Sequence, residues 1–448
     1  MKAYALALTL LLTPNVLLAD WQQWRGTSMN GISSAKDLPS EWSAENNVVW
    51  KADLPTWSGG TPVIVGDYIF LTSPSPPAPE EAVAEPEPEQ EQQRRRRRRG
   101  PRRNPGGDDL LLIALSKKDG SERWRSVVDR GNSLWRKHNN TSPSPVTDGK
   151  HVWIVTGTGQ VSGYTLDGKQ IWTFNLQDVY GEFGLQWGYA SSPLLYNDRL
   201  IIPVLHGMHT DWPSYVVAYD KMTGERIWKQ IRETDALRES PDAYTTPVVL
   251  RHEGKDQIVI SGGDYVTGHD PNTGKELWRA GGLNPNREGN YRIVGTPVTA
   301  DGLIYATSRR KPILALKAGG SGDITESHLA WTWTGPGAPD VPSSVTDGKY
   351  YYMVDDRGLV SCLDAKTGES VWGPERTSQG TVSSSLVLGD DKLYILNENA
   401  VTSVVAAGPE YKLLATNELD GSYTLSSPTV SGSSLFIRTG KALYRIGN

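Results

Sequence analysis

Apolar residues along this chain come in runs of four to eight, rich in Val, Ile, Leu, Tyr and Trp. They are broken by short groups of Gly, Asp and Asn. Residues 343–372 show the pattern: "SSVTD", "KYYYMV", "GLVSCLDA" and "ESVW" are separated by "DGK", "DDRG" and "KTG". Such runs predict strands joined by tight turns, and helical periodicity is absent. The unit of four strands recurs. Taking Trp as the marker, Trp50, Trp124, Trp172, Trp228, Trp278, Trp331 and Trp372 fall in corresponding places, with Leu414 in the same slot of the next unit. From Trp124 onward the spacings are 48, 56, 50, 53 and 41 residues, the period of propellers and arrays.

Two features fix the phase of the repeat. One is D-x3-G-x3-W, complete at Asp220–Gly224–Trp228, Asp270–Gly274–Trp278 and Asp364–Gly368–Trp372, and half-kept at Gly120–Trp124 and Gly168–Trp172. The Asp can fold its carboxylate onto following amides, and the Gly can supply the positive φ that closes a hairpin. The Trp then sits on the outer strand, where it can wedge between neighbouring sheets, so these seven Trp are expected to dock blades. The second feature is a Thr/Ser-Pro strand start at Pro62, Pro145, Pro193, Pro247, Pro297 and Pro428, with degenerate copies at "VPSSVTD" and "VSSSLVL". Eight starts result. The chain ends on a third strand, "KALYRIGN", and begins with an isolated one, "NNVVWKADL"; pairing them hides two sheet edges. The expected fold is all-β: an eight-bladed β-propeller of four-stranded antiparallel blades, closed by the N-terminal strand completing the C-terminal blade.

The D-x3-G-x3-W turn with a Ser/Thr-Pro strand start resembles the quinoprotein-type (PQQ-like) repeat, from about Trp42 to the end of the chain. WD40 propellers would show Trp-Asp strand ends; here Trp is followed by Lys, Arg, Thr or Gly. Two kinds of relative follow from the resemblance: quinone-dependent alcohol dehydrogenases, and BamB-like proteins of the outer-membrane β-barrel assembly machinery. The dehydrogenases imply PQQ and calcium, an adjacent Cys–Cys ring and an Asp base. This sequence has one cysteine, Cys362, so that ring cannot form, and Asp264, Asp355 and Asp356 align to no calcium or base position. No cofactor is expected, and a PQQ- and calcium-dependent dehydrogenase is the runner-up reading. The BamB-like resemblance implies a non-enzymatic scaffold with a protein partner in the cell envelope, without the lipid-anchor cysteine usual in that family.

Composition adds three points. Sixteen Trp and 19 Tyr against four Phe suit strands, and a net charge of −5 argues neither for nor against nucleic acid. Residues 1–19, "MKAYALALTLLLTPNVLLA", read as a signal peptide, with 20–448 as one propeller located in the periplasm or outside the cell. No transmembrane segment is expected in the mature chain, and a monomer is. Residues 73–109 read as a disordered low-complexity insertion in blade one, its acidic half preceding a run of six Arg. Export and the adjoining acids argue against nucleic acid as its ligand.

Strand alternation puts the 1–2 and 3–4 turns of every blade on one face and the 2–3 turns and blade crossings on the other. The second set is long and varied, so function is assigned there. Its candidate partner-binding rim comprises Arg136, His138, Trp187, Tyr189, His206, His209, Trp212, Tyr291, Arg292, Arg309, Arg310, Asp355 and Arg357. A protein partner is the first expectation and a cell-surface polysaccharide an alternative. His206, His209 and Asp211 have ligand-type chemistry, but HxxH on an irregular loop is weak grounds for zinc. No catalytic or metal site is assigned.

Overall fold

The computed structural model describes residues 20–78 and 104–447. Eight antiparallel four-stranded sheets form an eight-bladed propeller; two sheets carry an added two-residue strand. The described residues include one short helix, Leu176–Tyr180. The expectation for residues 1–19 lies outside the described residues.

Blade eight is built as the sequence predicts. Thr429–Ser431, Ser434–Arg438 and Ala442–Ile446 supply its first three strands, and Val48–Asp53 its fourth. Trp50 lies opposite Arg445 and Asp53 opposite Ala442, so the ring closes without a covalent link.

Two concentric sets of contacts hold the blades, and both trace to the repeat. The inner set is a closed ring of hydrogen bonds. At the start of each blade, the backbone N–H of the Ser or Thr at the equivalent repeat position donates to the hydroxyl of its counterpart one blade on. Thr61 bonds Ser144 at 2.9 Å, Ser144 bonds Ser192 at 2.9 Å, and Ser192 bonds Thr246 at 3.1 Å. Thr246 bonds Thr296, Thr296 bonds Ser343, Ser343 bonds Ser385, and Ser385 bonds Ser427, at 2.9–3.0 Å. Ser427 returns to Thr61 at 3.1 Å. The hydroxyl, rather than the proline beside it, is what the ring requires, and this is why the copies at Ser343 and Ser385 dispense with Pro.

The outer set is the tryptophan seam. Indole N–H groups donate to a carbonyl in the next blade: Trp50 to Lys117 (3.0 Å), Trp124 to Leu166 (2.8 Å), Trp172 to Lys221 (3.0 Å), Trp228 to Pro271 (3.1 Å), Trp331 to Ala365 (2.9 Å) and Trp372 to Gly408 (2.9 Å). The Gly of the next D-x3-G turn lies flat against the ring; a Cβ on Gly274, whose φ is +74°, would stand 2.4 Å from Trp228. Trp278 departs from the rule. Its indole donates to Gln257 of its own blade (2.7 Å), and Gly322–Asp323, from the long 3–4 turn of blade five, adds a parallel strand opposite Trp278 and Arg279.

The seam also corrects one expectation. In each blade a bulge immediately precedes the Trp: Gln170 and Trp172 pair across it in blade two, Ser370 and Trp372 in blade six. In blade seven the paired residues are Leu413 and Ala415, so Ala415 holds the Trp slot and Leu414 is the bulged residue. The next blade is the closing one, which has two chain segments where the others have a 3–4 hairpin. It therefore presents no turn glycine for an indole to cover. The segment before the closing strand covers this place instead: the Trp42 backbone N–H donates to the Asn417 side-chain oxygen (2.9 Å), and the Trp42 ring lies 6.4 Å from Tyr394.

Ser73 and Pro74 belong to the strand Tyr68–Pro74, and Asp109 opens Asp109–Ser116. Ser75 N–H donates to Asp109 (2.8 Å), Gly107 N–H donates to Ser75 (2.7 Å), and Trp57 holds Asn104 (2.7 Å). The predicted disordered stretch 73–109 is thus too wide at both ends. Ser, Pro and Gly read as loop, yet their backbone groups extend the ladder. Residues 79–103 lie outside the described residues.

Candidate functional site: the axial funnel

Asp20–Ser33 crosses the short-turn face and closes the channel there. The N–H of Ile64 in blade one donates to Trp21, that of Thr147 in blade two to Gln22, and that of Leu388 in blade seven to Gly31, each at 2.9 Å. Leu195 N–H reaches the Gln23 side chain at 3.2 Å, and Ile32–Ser33 pairs parallel to the first strand of blade seven. This plug has no counterpart in the repeat, and periodic reasoning could not find it.

Above the plug the channel opens to the long-loop face as a cavity of about 630 Å³. Trp24 of the plug forms its floor, hydroxyl-ring residues such as Thr61, Ser192 and Ser427 its lower wall, and Trp135, Trp187 and the loop cations its mouth. Of the predicted rim residues, Arg136, His138, Trp187, Arg292, Arg309, Arg310, Asp355 and Arg357 line this funnel.

Arg136 stands at φ +47°, with its guanidinium 5.2 Å from the Trp187 ring centre; the Trp187 indole donates to Glu239 at 2.8 Å. Arg292 is nearly buried and ion-paired with Asp340 (3.2 Å) and Glu239 (3.7 Å). Arg309 donates to the Asn290 carbonyl, and burial, then repulsion from Arg292, lowers its pKa. Asp355 is consumed by its own turn: it accepts from the N–H of Arg357 and Leu359 at 2.9 Å each and takes a two-pronged contact from the Arg357 guanidinium. Asp356 accepts from Asp340 N–H (2.9 Å), and burial raises its pKa. Lys137 is paired with Glu398 at 2.9 Å. Burial lowers the His138 pKa, leaving a neutral ring in the wall. Arg136, Arg309 and Arg310 make no salt bridge among the described residues, so the mouth carries surplus positive charge.

Five predicted rim residues lie elsewhere. Tyr189 and Tyr291 are buried, at 1% and 3% exposure; Tyr189 stacks 4.9 Å from Phe183, and the Tyr291 hydroxyl donates to the Lys311 carbonyl. His206 is buried too: its Nδ1 accepts from Gly184 N–H (3.2 Å), which leaves Nε2 to donate to Pro213 (3.3 Å), and burial lowers its pKa. None of these three is available to a partner. His209 reaches Gln186 at 2.5 Å, and Trp212 is 61% exposed outside the funnel. With His206 buried, the His206–His209–Asp211 set cannot converge; among the described residues no group of three or more His, Cys, Asp or Glu could hold a metal ion. Trp24, Trp135 and the hydroxyl ring are site residues the sequence did not single out as such. The Ser/Thr-Pro marker was the available signal for the ring.

Fold and funnel together define a quinoprotein-type propeller, plugged at one end of its axis and open at the other. Residues 108–374 match the family described as outer membrane protein assembly factor BamB, and the chain belongs to that family. It is 23% identical over 347 residues to outer membrane protein assembly factor BamB of Yersinia pestis, covering 73% of this chain and 77% of that one. It is 22% identical over 305 residues to the protein of the same name from Shewanella oneidensis, covering 67% of each. Among solved structures it is similar to BamB from Moraxella catarrhalis, with TM-score 0.54 and 15% identity over 78% of this chain and 94% of that one. It is also similar to the quinohemoprotein alcohol dehydrogenase of Comamonas testosteroni, with TM-score 0.63 and 13% identity over 96% and 81%. Among the described residues no helix is long and apolar enough to cross a membrane.

Proposed function

We propose that this protein is a non-enzymatic scaffold of the cell envelope that takes part in outer-membrane protein assembly. It would bind a protein partner at the mouth of the axial funnel. The observation that carries the reading is the mouth itself: Arg136, Arg309 and Arg310 make no salt bridge among the described residues, and Trp135 and Trp187 line the same mouth. Interface hot spots are enriched in Trp and Arg, and surplus positive charge selects a partner surface bearing Asp or Glu. Family membership supports the setting that this reading takes, the cell envelope.

Quinone chemistry finds no fit in these residues. Cys362, the one cysteine of the chain, is buried between strands of blade six, and burial pushes its thiol up to about 12. Asp355 is held by Arg357, and Asp356 accepts a backbone N–H. No step is assigned to a quinone.

The test is capture from envelope extract with Arg136→Glu, Arg309→Glu and Arg310→Glu combined. Charge reversal at three mouth positions should lower capture of the wild-type partner at least tenfold, since each close charge contact is worth about 1 kcal/mol or more. Undiminished capture by a variant with wild-type melting would remove the mouth from the interface.

A further inference from the structure

We propose that the axial funnel receives the acidic C-terminal end of the partner polypeptide, carboxylate first. This rests on the reading that the mouth binds a protein, and it names which part of that protein enters. The plug closes the axis, with Trp24 at the floor, so no polymer threads the channel and only an end or a tip reaches the bottom. At about 630 Å³ the funnel has the size of sites that enclose a small ligand.

The walls offer more donors than acceptors. Each hydroxyl of the inner ring accepts a backbone N–H from the preceding blade, and none of them donates a hydrogen bond to another group among the described residues. All members of the ring but Thr296 line the funnel. A Ser or Thr hydroxyl has one proton to give, so the lower wall is a circle of O–H donors. Above it, Arg136, Arg309 and Arg310 make no salt bridge among the described residues. The lining carboxylates are already engaged. Asp340 pairs with Arg292 at 3.2 Å, Asp355 with Arg357 at 2.7 Å, and Asp356 accepts the Asp340 N–H at 2.9 Å. What enters must bring acceptor oxygens and negative charge, and an ionised carboxylate is acceptor-only.

The mouth is set before anything binds. Arg136 lies over the Trp187 ring at 5.2 Å, the Trp187 indole donates to Glu239 at 2.8 Å, and Glu239 faces Arg292 at 3.7 Å. A cation fixed on a fixed aromatic ring lowers the ordering cost of binding. A loop tip would bring two strands, about 4.8 Å apart, down one passage. A chain end brings a single strand with its charge at the leading tip. The terminal carboxylate then meets the hydroxyl donors at the base, and Asp or Glu side chains just behind it meet the mouth cations.

Fluorescence anisotropy with the full chain tests this. The probes are short N-terminally labelled peptides rich in Asp and Glu, each made as the C-terminal free acid and as the amide. The free acids should bind about tenfold or more tighter than the amides, since only they present a terminal charge to the hydroxyl ring. Oligogalacturonate, an acidic glycan, should displace the free acids about tenfold less well than unlabelled free-acid peptide does. Ala190→Trp fills the funnel below the mouth and leaves every cation in place, so it should abolish the preference for the free acid. The acid–amide comparison uses the wild-type chain alone and stands whatever the folding of that variant. Undetectable binding, equal affinity for acid and amide, a preference unchanged in folded Ala190→Trp, or tighter binding of the glycan each overturns the chain-end proposal. None of these outcomes touches the mouth as an interface, which its own charge-reversal variant decides.

Discussion

At the scale of single residues, the turn glycines do two separable things. Gly274 and Gly254 share φ +74°, but a Cβ on Gly254 meets nothing within 4 Å, while one on Gly274 drives into Trp228. Gly254→Ala should cost about 1 kcal/mol, the backbone term alone. Gly274→Ala should cost about 2–4 kcal/mol, with overpacking added. Urea midpoints at unchanged m-value measure both, and equal costs would mean the seam yields to the methyl. Next to this turn, His269 is buried; Nδ1 meets the Gly274 carbonyl at 3.0 Å and Nε2 the Thr267 hydroxyl at 2.9 Å. Burial pushes its pKa down to about 4. Because the unfolded histidine, at about 6.5, binds a proton that the folded one refuses, its contribution is present above pH 6.5 and is lost as pH falls towards 4. Asp242 and Asp264, raised to about 6 chiefly by burial, run the opposite way between about pH 4 and 6. The readout is therefore the difference between wild type and His269→Gln. That difference should shrink as pH drops from 6.5 to 4.5, and a pH-independent difference would show that His269 protonates freely in the fold.

At the scale of the blade, the repeat was legible because each repeated residue contacts a repeated partner. The Ser/Thr marker bonds its own copy in the next blade, and the Trp marker, Trp278 excepted, bonds a carbonyl of the next blade. Legibility failed where partners are not repeated. Ala415 holds a Trp slot because the closing blade has no hairpin to receive an indole, and nothing within the seventh repeat says so. Tyr189, His206 and Tyr291 sit in loops, where no period of two or 3.6 reports which way a side chain turns, and ring residues with a polar tip serve a core as well as a surface. Trp24 and Trp135 escaped for the same reason. The seam's energetics can be divided by a conservative change. Trp331→Phe keeps most of the apolar contact with Tyr305, 5.8 Å away, and removes the bond to Ala365. It should cost about 1–2 kcal/mol, for the loss of one of the two hydrogen bonds that the buried Ala365 carbonyl accepts, the Tyr305 hydroxyl keeping the other at 3.1 Å, together with slight loss of volume. A thermal or urea shift reports it, and a cost near that of a Trp→Ala truncation would show that the indole N–H, not the ring, dominates the seam.

For the whole molecule, the decisive feature is that consecutive blades are joined by continuous chain, while within blade eight the fourth strand comes from the opposite end of the chain and is joined to the other three by non-covalent contacts alone. Val48–Asp53 can leave its partner strand without breaking any covalent path, and the plug at residues 20–33 lies just upstream on the same segment. Trp50 is the residue that couples this loose strand to the rest of the ring. Its indole reaches the Lys117 carbonyl in blade one, its ring lies 5.9 Å from Phe436 in blade eight, and Gly120 abuts it. Trp172 makes the equivalent contact at an internal seam, with Lys221 and Gly224. Truncating either to Ala should remove about 3 kcal/mol from global stability, because the lost contacts are alike. The local consequences should differ. In Trp50→Ala, amide exchange in Val48–Asp53 and Ala442–Ile446 should rise well above that of the other blades, since this strand pair has no covalent link and can open as a sub-global unit. In Trp172→Ala the same two strands should keep wild-type protection, because the lost contact lies at the seam of blades two and three, away from the closing blade. Equal protection of the closing strands in the two variants would mean that the ring opens only by unfolding as a whole, and that closure at blade eight is no weaker than closure elsewhere.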